Sequence, residues 1–64
     1  MSKFADQLEK RIKGKINAIG KGEVSPKDAG VNSLITRLKS FDEAAAEELQ
    51  KKYIETVKGL PKKD

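Results

Sequence analysis

The sequence predicts an all-α fold, a small three-helix bundle, from three observations. Apolar residues recur every three or four positions along most of the chain, which is the spacing of one face of a helix. Two segments carry the residue types that begin helices, and one carries the types that end them. We expect helices at about residues 2–19, 26–39 and 41–58.

The first predicted helix, 2–19, has one apolar stripe and a basic outer surface. At about 100° per residue, the stripe covers roughly a third of the helix circumference. Lys3, Lys10 and Lys13 lie on the opposite face, and Arg11 and Lys15 flank the stripe. The stripe residues are Phe4, Leu8, Ile12, Ile16 and Ile19. This pattern predicts an amphipathic helix that packs on the rest of the chain.

The second predicted helix, 26–39, begins where serine precedes proline. Ser25 offers a hydroxyl at the N-cap, and Pro26 suits the first helical position. Gly30 is the weak point, because glycine disfavours a helix interior. One alternative is that Gly30 ends a short turn and Asn32 caps a shorter helix. The expected core stripe is Val31, Leu34, Ile35 and Leu38.

The third predicted helix, 41–58, follows a capping-box pattern in which Ser40 and Glu43 satisfy each other's backbone donors. Gly59 then provides the left-handed residue that ends many helices. If the box is not used, the stripes of the second and third helices nearly align, and one long helix from 26 to 58 is the alternative. We favour the break. Residues 59–64 are expected to form a frayed basic tail.

Sixty-four residues predict one domain, 1–64, with a core of small net stability. A protein partner or self-association would add to that stability. The predicted core has sixteen members: Phe4, Leu8, Ile12, Ile16, Ile19, Val24, Val31, Leu34, Ile35, Leu38, Phe41, Leu49, Tyr53, Ile54, Val57 and Leu60.

The composition argues against an enzyme. The chain has no cysteine and no histidine, so thiolate nucleophiles, imidazole bases and the usual soft metal ligands are missing. We therefore expect no catalytic residues, no metal, no cofactor and no small-molecule substrate. No apolar run approaches the roughly 20 residues that span a bilayer. We expect a cytoplasmic protein without a membrane partner.

The placement of charge makes nucleic-acid binding one of two functional hypotheses. Residues 1–41 carry nine basic and four acidic side chains, a net +5, whereas the whole chain carries +4. Residues 29–38 also resemble the turn and recognition helix of a helix-turn-helix motif. The expected phosphate contacts are Lys10, Arg11, Lys13, Lys15 and Lys21. The residues expected to contact bases are Asn32, Ser33, Thr36 and Arg37.

The other hypothesis, which the sequence narrowly favours, is a small accessory or regulatory protein that acts by protein–protein contact or self-association. Three amphipathic helices offer more apolar surface than one small bundle need cover. Tyr53 and Ile54 extend the stripe of the third helix around its cylinder, and we expect them at the interface. The sequence does not identify the partner.

Overall fold

The computed structural model describes residues 3–61, and this part of the chain forms four helices without a strand. The all-α bundle predicted from the sequence is confirmed. Ser2 and the tail residues 62–64 lie outside the described residues. The helices are α1 (Lys3–Gly20), α2 (Pro26–Ala29), α3 (Val31–Lys39) and α4 (Glu43–Lys58).

The three long helices pack side by side, and each contacts the other two. The rings of Phe4 and Phe41 meet, so the start of α1 lies beside the end of α3 and these helices are antiparallel. A Cβ atom on Gly20 would lie 3.5 Å from Cγ2 of Thr56, so the ends of α1 and α4 lie together. Helix α4 therefore runs parallel to α1.

The core follows the predicted stripes, with three exceptions. Phe4, Phe41 and Ile54 were predicted to be buried, but their side chains are 46%, 53% and 44% exposed. Each lies at the margin of its stripe, where a small bundle has no neighbouring helix to cover it. Small alanines are buried instead where helices approach closely. The buried residues are Ala5, Leu8, Ile12, Ile16, Ile19, Ala29, Val31, Ile35, Leu38, Ala46 and Leu49.

The predicted helix 26–39 is wrong as one continuous element. It begins as predicted, with the Lys27 N–H donating to Ser25 Oγ at 3.3 Å, but α2 ends at Ala29. Gly30 takes the left-handed conformation, with φ 66° and ψ 27°, and turns the chain into α3. The alternative of a short turn ending at Gly30 is confirmed. Its second half is wrong, because α3 begins at Val31 and Asn32 caps nothing.

The break before α4 is confirmed, but the residue that caps α4 is not the one predicted. Ser40 keeps helical angles and its N–H donates to the carbonyls of Arg37 and Leu38, so it belongs to the last turn of α3. Asp42 is extended, and its Oδ1 accepts from the Ala45 N–H at 3.1 Å. The capping box at Ser40 and the single helix over 26–58 are both wrong.

Left-handed glycines also differ from the expectation at one helix end. Gly59 has φ −79°, so it closes α4 with right-handed angles instead of the left-handed ones that the sequence suggests. Gly22, with φ 77°, is the left-handed glycine in the turn after α1. Its N–H donates to the Ile19 carbonyl at 3.0 Å. This turn reverses the chain toward α2.

The two candidate caps of α4 give the first testable prediction. Asp42→Ala should lower the free energy of unfolding by about 0.5 to 2 kcal/mol, because it removes the acceptor at the start of a sixteen-residue helix. Ser40→Ala, two residues away, should change it by less than about 0.5 kcal/mol. Urea denaturation followed by circular dichroism measures both variants. Equal losses would contradict the assignment of Asp42 as the cap.

Candidate nucleic-acid interface

One side of α1 carries charges of both signs and faces α4. The carboxylate of Glu9 pairs with Nζ of Lys13 at 3.2 Å, one helical turn away. Both residues line a groove of about 510 Å³ together with Glu48 and Lys52 of α4. Asp6, the other acidic residue of α1, lies on the same side of the helix by its spacing from Glu9 and Lys13. All the acidic side chains of Lys3–Gly20 are therefore directed away from α3.

The opposite side of α1 is basic and faces α3. Phe4, Arg11 and Lys15 lie on this flank at helical spacing, and the contact of Phe4 with Phe41 shows that α3 is its neighbour. Arg11 is exposed, whereas Lys15 is half-buried, so its methylene stem lies along the apolar stripe. Lys10 is exposed on the outward surface between the two flanks. This side of α1 contains no acidic residue.

Helix α3 adds a polar surface that is also free of acidic residues. Asn32, Ser33, Thr36 and Arg37 are all exposed along Val31–Lys39, and no aspartate or glutamate occurs in that range. The Thr36 hydroxyl donates to the Asn32 carbonyl at 2.9 Å, so it can only accept from a ligand. The side chains of Asn32 and Arg37 form no such bond within the helix that the structure records.

The direction of each helix decides which flank of α3 lies beside α1. Helix α4 is on the Glu9 side of α1, and α3 is antiparallel to both. For right-handed helices, this arrangement directs Leu34 and Arg37 toward α1 and Asn32 toward α4. Asn32 accordingly lines a depression of about 340 Å³ with Tyr53 of α4. Arg37 thus lies on the same side of the molecule as Arg11 and Lys15.

We call the surface formed by these two helix sides the α1–α3 face. Lys39 belongs to it, although the sequence analysis did not select this residue; its three-residue spacing from Thr36 was the available signal. Lys21 lies in the turn after α1, at one end of the face, and is exposed. The face comprises Lys10, Arg11, Lys15, Lys21, Asn32, Ser33, Thr36, Arg37 and Lys39.

The remaining predicted contact residues lie elsewhere. Lys13 is on the α4 side of α1, where Glu9 neutralises it, so it does not join the other four predicted phosphate contacts. The helix-turn-helix resemblance is also limited, because α2 has four residues and Gly30 alone separates it from α3. That motif joins two full helices through a turn of three or four residues.

The residues predicted at a protein interface do not form one apolar patch. Tyr53 is half-buried and packs against the core, whereas Ile54 is exposed among Glu47, Lys51 and Lys58 of the same helix. A single exposed isoleucine is ordinary on a protein surface. Self-association through Tyr53 and Ile54 stays a prediction.

No helix within residues 3–61 combines the length and apolar character needed to cross a membrane. In the same range, acidic side chains form no group of three or more that could hold a metal ion. Comparison of the chain with family models, curated proteins and solved structures finds no match.

Proposed function

We propose that this protein binds nucleic acid through the α1–α3 face. The observation that carries the proposal is the segregation of charge around the bundle. On α1 both acidic residues lie on the side toward α4, and α3 has none. Helix α4 carries interspersed glutamates and lysines, which largely cancel. The molecule thus presents one side of single sign, as polyanion-binding proteins do.

The dimensions of this face suit a phosphate backbone. Eleven residues separate Lys10 from Lys21 along α1, which corresponds to roughly 16 Å at 1.5 Å per residue. That length matches about five base steps of a duplex strand at 3.4 Å each. Lys10, Arg11 and Lys15 supply cations along it, and backbone contacts of this kind position a protein without selecting a sequence.

The polar surface of α3 would supply any sequence preference. Arg37 and Asn32 carry the planar, multiply hydrogen-bonding groups that recognise guanine and adenine edges. Contact with a protein partner, which the sequence narrowly favours, has less support, because Ile54 is isolated among charges and Tyr53 is half-buried. A mixed-charge protein surface would also gain little from a face of one sign.

Salt dependence of binding tests the proposal. For the parent protein, the logarithm of affinity for mixed-sequence DNA should fall linearly with the logarithm of salt concentration. The double variant Lys10→Gln/Arg11→Gln should flatten the slope by about 1.8, because each cation contributes about 0.9 on duplex DNA. Fluorescence anisotropy at several salt concentrations provides the measurement.

The control is Lys51→Gln/Lys52→Gln on α4, which removes the same charge from the opposite side and should leave the slope unchanged. Lys13→Gln should also have little effect, since Glu9 already pairs with this residue. Equal flattening by both double variants would mean that total charge, not the α1–α3 face, governs binding. Absence of binding by the parent at about 50 mM salt would refute nucleic-acid binding itself.

A further inference from the structure

Two phenylalanines remain exposed beside the α1–α3 face. The ring centroids of Phe4 and Phe41 are 5.2 Å apart and the ring planes are inclined by 71°, an edge-to-face contact. Close to half of each side chain is nevertheless accessible to solvent. Their mutual contact holds both rings in place, so the start of α1 and the end of α3 together present a rigid aromatic surface.

This aromatic pair adjoins the cations of the α1–α3 face. Phe4 and Arg11 line the same small depression, together with Gln7 and Leu8. On the other helix, Phe41 follows the last turn of α3, which carries Arg37 and Lys39. The nearest acidic group in sequence, Asp42, directs its Oδ1 to the Ala45 N–H at the start of α4. Positive charge and aromatic surface therefore lie at the same end of the molecule.

We infer that the ligand is a single-stranded nucleic acid whose bases stack on Phe4 and Phe41 while Arg11 and its basic neighbours hold the phosphates. This inference rests on the proposed function and specifies its ligand class. Duplex DNA does not offer the faces of its bases, because they are stacked on each other. A flexible single strand does, and aromatic platforms beside basic grooves bind such strands without strong sequence preference.

The test compares three ligands at one salt concentration: an oligothymidine of about 16 nucleotides, an abasic strand of the same length, and a duplex of the same length. The abasic strand keeps every phosphate but has no base to stack. The parent should bind oligothymidine at least about fivefold more tightly than the abasic strand, since one stacked base corresponds to roughly 5- to 150-fold. It should also prefer oligothymidine to the duplex.

Two variants locate the preference. Phe41→Leu removes the ring at a half-exposed position and should abolish the advantage of oligothymidine over the abasic strand, while Phe41→Tyr should keep it. The matched control is Ile54→Ala, which removes an exposed apolar side chain of α4 and should leave all three affinities unchanged. Circular dichroism verifies that each variant retains the helical content of the parent.

The outcomes separate the two proposals. If the parent binds oligothymidine and the abasic strand equally, or prefers the duplex, stacking is refuted while nucleic-acid binding stands. Retention of the oligothymidine advantage by folded Phe41→Leu would also refute a role for this aromatic pair. If the parent binds none of the three ligands, the proposed function fails, and the inference fails with it.

Discussion

Replacing Leu38 with alanine is expected to remove a large part of the stability of this protein. Leu38 is fully buried in α3, so truncation loses its transfer free energy and leaves a cavity in the core. Such substitutions cost about 2 to 5 kcal/mol. A chain of 64 residues has roughly 3 to 10 kcal/mol in total, at 0.05 to 0.15 kcal/mol per residue. Urea denaturation should show a much lower midpoint, or an unfolded chain at 25 °C.

Two further substitutions grade the effect by burial. Leu34→Ala, in the same helix but only half-buried, should cost less than Leu38→Ala because water already reaches part of its side chain. Ile54→Ala, which is 44% exposed on α4, should change the free energy of unfolding least. A loss at Ile54 as large as that at Leu38 would contradict the assigned core.

Alanine at Gly30 and at Gly14 should shift stability in opposite directions. At either position, a Cβ atom added to the glycine would have no neighbouring atom within 4 Å, so steric crowding from other residues does not distinguish them. Gly30, however, has φ 66°, where a Cβ meets its own backbone. Gly30→Ala should therefore lower the free energy of unfolding by about 1 to 2 kcal/mol.

Gly14 lies in the middle of α1 with helical angles and an exposed surface. Alanine there should raise the free energy of unfolding by up to about 1 kcal/mol, because it reduces the backbone entropy of the unfolded chain. The two variants, measured side by side by thermal or urea denaturation, should differ by about 2 to 3 kcal/mol. A change of the same sign in both would contradict the left-handed turn at Gly30.

The helices and most of the core were predictable from the sequence because they depend on a local period. Ile12, Ile16 and Ile19 repeat at three- and four-residue steps, and this spacing alone directs them to one side of a helix. Ser25 before Pro26 marked a helix start for an equally local reason. The basic residues of α1 and the polar residues of α3 could likewise be assigned to exposed surfaces.

The choice between nearby caps was less predictable, because Ser40 and Asp42 both have side chains that accept from a helix N-terminus. Packing of α3 against α1 and α4 extends α3 through Ser40, and only then is Asp42 left at the start of α4. The exposure of Phe4 and Phe41 has a similar origin. Both lie at stripe margins, and whether a margin is covered depends on the position of the next helix.

The α1–α3 face shows the division most clearly. The sequence by itself determined the angular position of each charge around its own helix axis, because that position follows from 3.6 residues per turn. It did not determine which helix lies on each flank. Only the tertiary structure assigned Glu9 and Lys13 to the side facing α4, and Arg11 and Lys15 to the side facing α3, because that assignment depends on contacts between residues distant in the chain.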